Sequence, residues 1–388
     1  KMNGPCNMTP GPTRIASEVL AAQSREGLNP DLDPEFLQFY RELCKKLQRH
    51  FKSSSQTLAL SGEGILGLEA ACASLTERGK KVLCLSNGPF GAGFADFASI
   101  YGARVSLFEG DYREPLDPKK LEHFLSTEKG FSYATLVHCE TPTGVLNDLS
   151  ELCPLLKKHG IATVVDAVSS LGGVPIDCDA LGIDILLGAS QKCLSAPAGA
   201  SILSISNRAW QMMEERRERI ASYYCNLSLW RNWQDSAWFP YTLNVNTLQG
   251  LSRALDKSLA DEDIFQRHES LAQAVRDSLQ EGGLELYGKR GFSPTVTSIL
   301  LPKEIDGEKL LERLRVSYGV LMAPGAHTEE RFVLRLGHMG ENCRQSSIWH
   351  SLLALDKALR EQGHSCKVEL HNCFSSILGQ RELFFQSH

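Results

Sequence analysis

The chain between residues 81 and 206 alternates short apolar runs with helical patterns, and this alternation constrains the fold more than any other feature. Helical patterns lie at 93–102 and 149–160. Buried strands joined by helices predict a mostly parallel sheet covered on both faces, with ligands bound beyond the carboxyl ends of the strands. The predicted strands are KVLCLS (81–86), ATLVHC (134–139), ATVVDA (162–167), IDILLGA (183–189) and ASILSIS (200–206).

After Trp238 the pattern changes to longer predicted helices with fewer strands between them, which predicts a second, smaller α/β domain. The predicted elements there are helices at 247–259, 262–281, 307–318 and about 344–362, and strands at 295–302 and in VLMAP and FVLRLG. Near the other end, the prolines of TPGPT (9–13) disfavour a helix and predict an extended arm. We therefore divide the chain into an arm (1–16), a large domain (17–255), a small C-terminal domain (256–365) and a tail (366–388) that ends in a possible tag remnant, RELFFQSH.

Composition and charge exclude several classes of protein. The net charge of −5 over 388 residues lacks the basic character of a nucleic-acid binder. We expect no membrane span, because no apolar run approaches the roughly 20 residues that a bilayer requires. The N-terminal sequence shows no secretory signal, and the twelve cysteines lack the spacing of zinc sites. Reduced thiols in a cytoplasmic protein are the expected state.

Lys192 and Asp166 are the two residues that point most directly to chemistry. Lys192 follows a predicted strand in a loop of small residues, ILLGASQKCLSAPAG (185–199), and would face the cleft at the edge of the sheet. Burial and nearby positive charge lower the pKa of such a lysine, so that its free amine can attack an aldehyde. Asp166 ends the strand in VVDAVSSLGG, where it can cap the next turn or hold a pyridinium nitrogen protonated.

A glycine-rich helix start, LSGEGILGLEAA (60–71), forms a candidate anion site. Ser61, Gly62 and Gly64 open the helix, and free N–H groups at such a start bind anions. Glu63 is the unusual member, because it places a carboxylate inside that cradle.

Three further segments supply candidate ligand contacts. Phe90 in SNGPFGAGF can stack on a flat ring or belong to the core. Thr141 and Thr143 in HCETPTGVL can bind a ring oxygen or cap a turn. Arg335 in RFVLRLGHMG can grip a carboxylate with its planar fork or form a structural ion pair.

Taken in order, these segments resemble the class V aminotransferases from about residue 9 to about residue 362. The resemblance implies the α/β fold of a fold-type I pyridoxal phosphate-dependent transferase, working as a homodimer on a small amino donor and a 2-oxo acid. Lys192 is then the Schiff-base lysine and proton shuttle. The other implied contacts are Asp166 with the ring nitrogen, Phe90 with the ring face, Thr141 with the phenolic oxygen, Arg335 with the substrate carboxylate, and Gln191 and Thr242 with the cofactor phosphate, Thr242 from the second subunit.

The segment around Glu63 is similar to one branch of this class, whose members use unphosphorylated pyridoxamine as a substrate. That likeness implies transfer of an amino group from pyridoxamine to pyruvate, giving pyridoxal and L-alanine. The chain departs from the branch at Ala326, where a second arginine is expected, and near Pro30, where a tyrosine is expected.

Two other activities stay open. One is that of a pyridoxal phosphate-bound alanine–glyoxylate aminotransferase, or of one using serine or another small 2-oxo acid. The other is that of a lyase or desulfurase. A desulfurase needs a nucleophilic cysteine ahead of the arginine strand, and none occurs between Cys225 and Cys343.

Overall fold

The computed structural model describes residues 5–328 and 330–386. The first four residues of the expected arm and the last two of the expected tag remnant lie outside them. Strands in the described residues are β1 (Cys6–Asn7), β2 (Gln56–Ser61), β3 (Lys81–Ser86), β4 (Arg104–Glu109), β5 (Phe131–Val137), β6 (Cys139–Glu140), β7 (Val145–Leu146), β8 (Ala162–Asp166), β9 (Ile185–Ala189), β10 (Ala200–Ile205), β11 (Glu285–Leu286), β12 (Val296–Leu300), β13 (Val320–Leu321), β14 (Ala323–Pro324) and β15 (Val333–Gly337).

The helices surround these strands. Those in the described residues are α1 (Ser17–Gln23), α2 (Pro34–Phe51), α3 (Gly64–Leu75), α4 (Pro89–Ile100), α5 (Pro118–Thr127), α6 (Leu149–Lys158), α7 (Cys178–Leu181), α8 (Asn207–Glu214), α9 (Trp233–Ser236), α10 (Val245–Ala260), α11 (Ile264–Glu281), α12 (Gly307–Tyr318), α13 (Gln345–Glu361) and α14 (Leu370–Gln386).

A seven-stranded sheet in the order β2-β10-β9-β8-β5-β3-β4 forms the centre of the large core. The prediction of a mostly parallel sheet is confirmed, and so are its five predicted strands. β10 is the exception, because it runs antiparallel to both β9 and β2. Residues 190–199 join β9 to β10, and a link this short cannot make the crossover that a parallel pair requires. The same link places Lys192 at the carboxyl edge of the sheet.

Helix starts in the large core follow ordinary capping chemistry. Asp148 caps α6 by accepting a hydrogen bond from the N–H of Ser150 at 2.8 Å. Apolar residues at helical spacing, such as Leu149, Leu152 and Leu156, are buried against the sheet. Capping and burial of one helix face together stabilise such elements.

The small core contains a four-stranded antiparallel sheet, β11-β12-β15-β14, covered by α11 to α14. Met8 from the arm is buried in it, and β1 pairs with β13. Residues 370–386, expected to belong to a tail, form α14, which packs on α11 and α13. Leu370, Phe374 and Leu378 lie at helical spacing and are buried in the small core, so this segment forms a packed helix rather than a tail. The proposed domain limits stay a prediction; the one at residue 255 falls inside α10.

Two expected absences concern membrane spans and disulfides. Within the described ranges, no helix combines the length and the hydropathy that a bilayer crossing demands. All twelve cysteines lie in these ranges, and all are free thiols.

Removing the Phe374 ring tests whether α14 completes the small core. The ring is fully buried, so Phe374→Ala should lower the free energy of unfolding by about 3–5 kcal/mol. Chemical denaturation followed by circular dichroism measures the loss. Ser376→Ala, on the exposed face of the same helix, is the matched control and should change it by less than about 0.5 kcal/mol. Equal stability of the two variants would show that α14 is dispensable.

Candidate active site

One cleft at the carboxyl edge of the large sheet collects most of the residues predicted to carry chemistry. Its lining comes from the start of α3, the start of α4, the turn after β6, the end of β8 and the link between β9 and β10. Among the predicted residues it contains Glu63, Gly64, Phe90, Thr141, Asp166 and Lys192. The sheet topology explains this meeting, because parallel strands present all their carboxyl ends at one edge.

The amine of Lys192 lies against the N-terminal arm. Its Nζ donates a hydrogen bond to the carbonyl oxygen of Pro10 at 2.6 Å. Gly11 follows with φ +98°, and a Cβ on it would lie 2.4 Å from the Cδ of Lys192. Burial lowers the pKa of Lys192, and the positive charge of Arg335 lowers it further. The amine is therefore more easily uncharged than that of an exposed lysine.

Asp166 caps the turn after β8, and its role at a ring nitrogen stays a prediction. Its Oδ1 accepts a hydrogen bond from the N–H of Val168 at 2.8 Å, which caps the turn. Within the part of the chain that the structure describes, nothing bonds Oδ2, and the residue lines the cleft. Burial raises the pKa of Asp166 to about 6, while Lys192 acts to lower it. The carboxylate can thus meet a cationic ring nitrogen, whose charge would favour the ionised form.

Phe90 and Thr141 both line the cleft. The core interpretation of Phe90 is wrong, because the residue is 40% exposed and lines the cleft. The hydroxyls of Thr141 and Ser169 are 2.5 Å apart. Thr143 is the turn-capping residue, since its hydroxyl donates to the carbonyl of Glu140 at 3.1 Å.

Glu140 is a cleft-side residue that the sequence did not single out. It is fully buried, and its carboxylate accepts hydrogen bonds from the N–H groups of Phe90, at 3.2 Å, and Gly91, at 2.5 Å. Burial raises its pKa to about 7. The segment HCETPTGVL contains this glutamate at a strand end. Its hydrogen-bond partners are about 50 residues away in the chain, so local sequence does not reveal its role.

The carboxylate of Glu63 occupies the start of α3. Its Oε2 accepts a hydrogen bond from the N–H of Ile65 at 3.0 Å, and its Oε1 accepts one from Nε2 of Gln191 at 2.7 Å. Gly62 lies nearby, and a Cβ there would lie 2.3 Å from Cδ2 of Leu66, so that this side chain would have to move. In the described chain Glu63 forms no ion pair with a basic residue. One cradle donor is therefore already used by a carboxylate of the protein.

Two predicted phosphate contacts have other partners in this chain. The hydroxyl of Ser61 accepts a hydrogen bond from the N–H of Asn244 at 2.7 Å. Thr242 lies outside the cleft lining, and its hydroxyl donates to Asp31 at 3.0 Å. The contact of Thr242 with a second subunit stays a prediction.

Arg335 lies on β15 with its guanidinium near Lys192. Its Nε donates a hydrogen bond to the carbonyl of Pro324 at 2.6 Å, which fixes the direction of the fork. The structural ion pair considered for Arg335 is not formed with any described carboxylate. Its charge acts on Lys192 by lowering the pKa of the amine. A partly buried cation without a carboxylate partner can receive the carboxylate of a ligand.

Comparisons with known proteins agree with this geometry. The family model described as aminotransferase class-V matches residues 30–355. The chain belongs to the class V aminotransferases. A pyridoxamine–pyruvate transaminase from Mesorhizobium japonicum is 32% identical over 369 residues, covering 93% of each chain. The alanine–glyoxylate aminotransferase of Mus musculus is 31% identical, covering 90% of this chain and 86% of the relative.

A solved structure extends the likeness to the whole fold. The pyridoxamine–pyruvate aminotransferase from Mesorhizobium loti superposes with a TM-score of 0.91 at 31% identity and covers 97% of each chain. The aminotransferase therefore has the fold-type I architecture, in a family that uses pyridoxal 5′-phosphate. A desulfurase from Thermococcus onnurineus shares the fold at 16% identity.

The ring side of the cleft fits a pyridoxal group. Asp166 offers a free carboxylate oxygen for the ring nitrogen, Thr141 a hydroxyl for the ring oxygen, and Phe90 an aromatic face. When bound, the ring supplies an electron sink for the carbon that loses its proton. Lys192 provides an amine that can bond to the carbonyl carbon and carry a proton on Nζ.

Lys192→Ala should abolish covalent attachment of pyridoxal and nearly all amino transfer, while the protein still folds. The reason is that Lys192 is the one amine among the described residues that line the cleft. Borohydride reduction after incubation with pyridoxal, followed by mass spectrometry, locates the modified residue. Lys129→Ala, which removes an exposed amine, is the control and should retain both properties. Full turnover by Lys192→Ala would contradict the assignment.

Arg335→Lys should raise the Michaelis constant for the 2-oxo acid by about tenfold or more. A point charge does not replace the planar fork, and a charge-assisted hydrogen bond contributes roughly 1.5–3 kcal/mol. Steady-state kinetics with several acids measures the effect. Arg290→Lys, at an exposed ion pair with Glu114, should leave the constant unchanged. If Arg335→Lys also leaves it unchanged for every acid, Arg335 has only a structural role.

Proposed function

We propose that this aminotransferase transfers the amino group of unphosphorylated pyridoxamine to pyruvate, giving pyridoxal and L-alanine. The observation that carries the proposal is the Glu63 carboxylate at the start of α3, held there by Ile65 and Gln191. In phosphate-binding proteins a helix start of this kind receives the anion. Here a side chain with the same sign of charge already occupies it.

Electrostatics favours the unphosphorylated ring. Two unit charges ~4 Å apart repel by about 4 kcal/mol at an effective dielectric near 20, a value suited to an exposed group such as Glu63, and a phosphate dianion repels by roughly twice that. One or two cradle hydrogen bonds, at about 1 kcal/mol each, do not offset this repulsion. A neutral hydroxymethyl group instead donates a hydrogen bond to Glu63. The site should therefore bind pyridoxamine more tightly than its phosphate ester.

The other site residues have definite tasks in this reaction. Asp166 holds the proton of the ring nitrogen, Thr141 binds the ring oxygen and Phe90 covers one ring face. Lys192 moves a proton on its Nζ between the carbon atoms that lose and gain it, which requires an amine with a lowered pKa. Arg335 binds the carboxylate of pyruvate and of alanine, and so orients the acid toward Lys192.

The alternative is a pyridoxal phosphate-bound alanine–glyoxylate aminotransferase or one with a related acceptor. Ala326 favours it, because the second arginine expected in the pyridoxamine branch is missing. The mouse relative supports the same possibility by its name. We further propose a cytoplasmic homodimer, in which Thr242 of one subunit reaches the site of the other.

Titration of both ring forms decides between these functions. Isothermal titration calorimetry should show tighter binding of pyridoxal than of pyridoxal phosphate to the wild type. Glu63→Ser should shrink or reverse that preference by at least about tenfold, because it restores a neutral hydroxyl. Asp96→Ser removes an exposed carboxylate of α4 and is the control, for which the wild-type preference should persist.

Tighter binding of the phosphate ester by the wild type would overturn the pyridoxamine proposal. An ordinary pyridoxal phosphate-bound aminotransferase would then replace it, since the family assignment does not depend on Glu63.

A further inference from the structure

Glu140 is a fully buried carboxylate that the proposed reaction does not use. The described chain supplies it with no lysine, arginine or histidine as an ion-pair partner. Its hydrogen-bond donors are the N–H groups of Phe90 and Gly91. An isolated buried carboxylate is costly, and two N–H donors at a helix start are an arrangement that reduces this cost.

The start of α4 lacks a cap of its own. Gly88 is the N-cap residue and has no side chain, and Pro89 has no N–H to offer. Phe90 and Gly91 therefore carry the first free donors of the helix, which need acceptors when buried. Glu140 supplies both acceptors from a position about 50 residues further along the chain.

The glycines of SNGPFG make room for this carboxylate. A Cβ on Gly88 would lie 2.4 Å from the Cδ of Glu140. A Cβ on Gly91 would lie 3.1 Å from Oε1 of Glu140 and 2.8 Å from the carbonyl of Leu85. Side chains at Gly88 or Gly91 would therefore collide with the Glu140 carboxylate or with the neighbouring backbone.

The position of Glu140 connects two walls of the cleft. It directly precedes Thr141 in the chain, and its carboxylate bonds the backbone of Phe90. Both neighbours line the cleft. One glutamate side chain therefore links the backbone of Phe90 to the segment that carries Thr141.

We propose that Glu140 is a positioning residue of the ring site, which holds Phe90 at the separation from Thr141 that a pyridine ring requires. It acts through Phe90 and does not touch the ring. The proposal rests on contact between Phe90 and the ring, and it applies equally to phosphorylated and unphosphorylated forms.

A double-mutant cycle tests this coupling. Glu140→Gln keeps one acceptor oxygen but turns a donor toward the second N–H group, so it should weaken pyridoxal binding by about tenfold. Phe90→Ala should weaken it to a similar degree. In the Phe90→Ala background, Glu140→Gln should add less than about threefold, because residues that act as a unit are non-additive. Dissociation constants come from calorimetric titration with pyridoxal.

Asp117→Asn is the matched control. Asp117 also accepts two helix-start N–H groups, those of Lys119 and Lys120 on α5, but it lies outside the cleft. Asp117→Asn should leave the dissociation constant for pyridoxal unchanged in the wild-type and Phe90→Ala backgrounds. Thermal unfolding of every variant separates loss of fold from loss of binding, and Glu140→Asp replaces Glu140→Gln in the cycle if the latter does not fold.

Independent effects, in which the losses at Glu140 and Phe90 multiply, would overturn the proposal. So would a Glu140→Gln protein that melts earlier but binds pyridoxal with wild-type affinity, since Glu140 would then serve only stability. An unchanged constant in Phe90→Ala would remove the ring contact on which the proposal rests, and would leave the Glu63 proposal intact.

Discussion

Hydrogen bonds from outside the sheet hold the loop that carries Lys192, and the geometry of the site depends on them. Thr13 of the arm donates to the carbonyls of Gln191, at 3.0 Å through its N–H, and Lys192, at 2.9 Å through its hydroxyl. From the small core, the N–H of Glu341 donates to the hydroxyl of Ser195 at 2.8 Å. The loop that carries Lys192 thus forms hydrogen bonds to the arm and to the small core.

Neutral histidines support this arrangement without adding charge. His268 donates from Nδ1 to the carbonyl of Ile264 and accepts the N–H of Gly340 at Nε2, while burial lowers its pKa to about 4. Burial likewise lowers the pKa of His338, in GHMG, to about 3. Each ring is uncharged at neutral pH and has a fixed tautomer set by its carbonyl partner. The positive field that acts on Lys192 therefore comes from Arg335 and does not vary with histidine titration.

Local sequence predicted the site residues that follow strands, and failed where distant segments meet. Lys192 and Asp166 were predictable because each follows an apolar run whose carboxyl end must lie at the sheet edge. The contact between Lys192 and Pro10 joins residues 182 apart, and no local pattern encodes it. The direction of β10 depended on a loop length rather than on the strand itself. The role of Glu140 depended on the missing cap of a helix elsewhere in the chain.

The small core is assembled from opposite ends of the chain, because Met8 and Phe374 are buried in the same cluster. During synthesis the large sheet, which ends with β10, can form long before α14 leaves the ribosome. Strand β1 of the arm can pair only after β13 has been synthesised. The hydrogen bond between Lys192 and Pro10 in turn requires the arm to be in place. A chain that ends before β13 would therefore lack the strand pairing that holds the arm, and with it the support for the contact between Pro10 and the amine of Lys192.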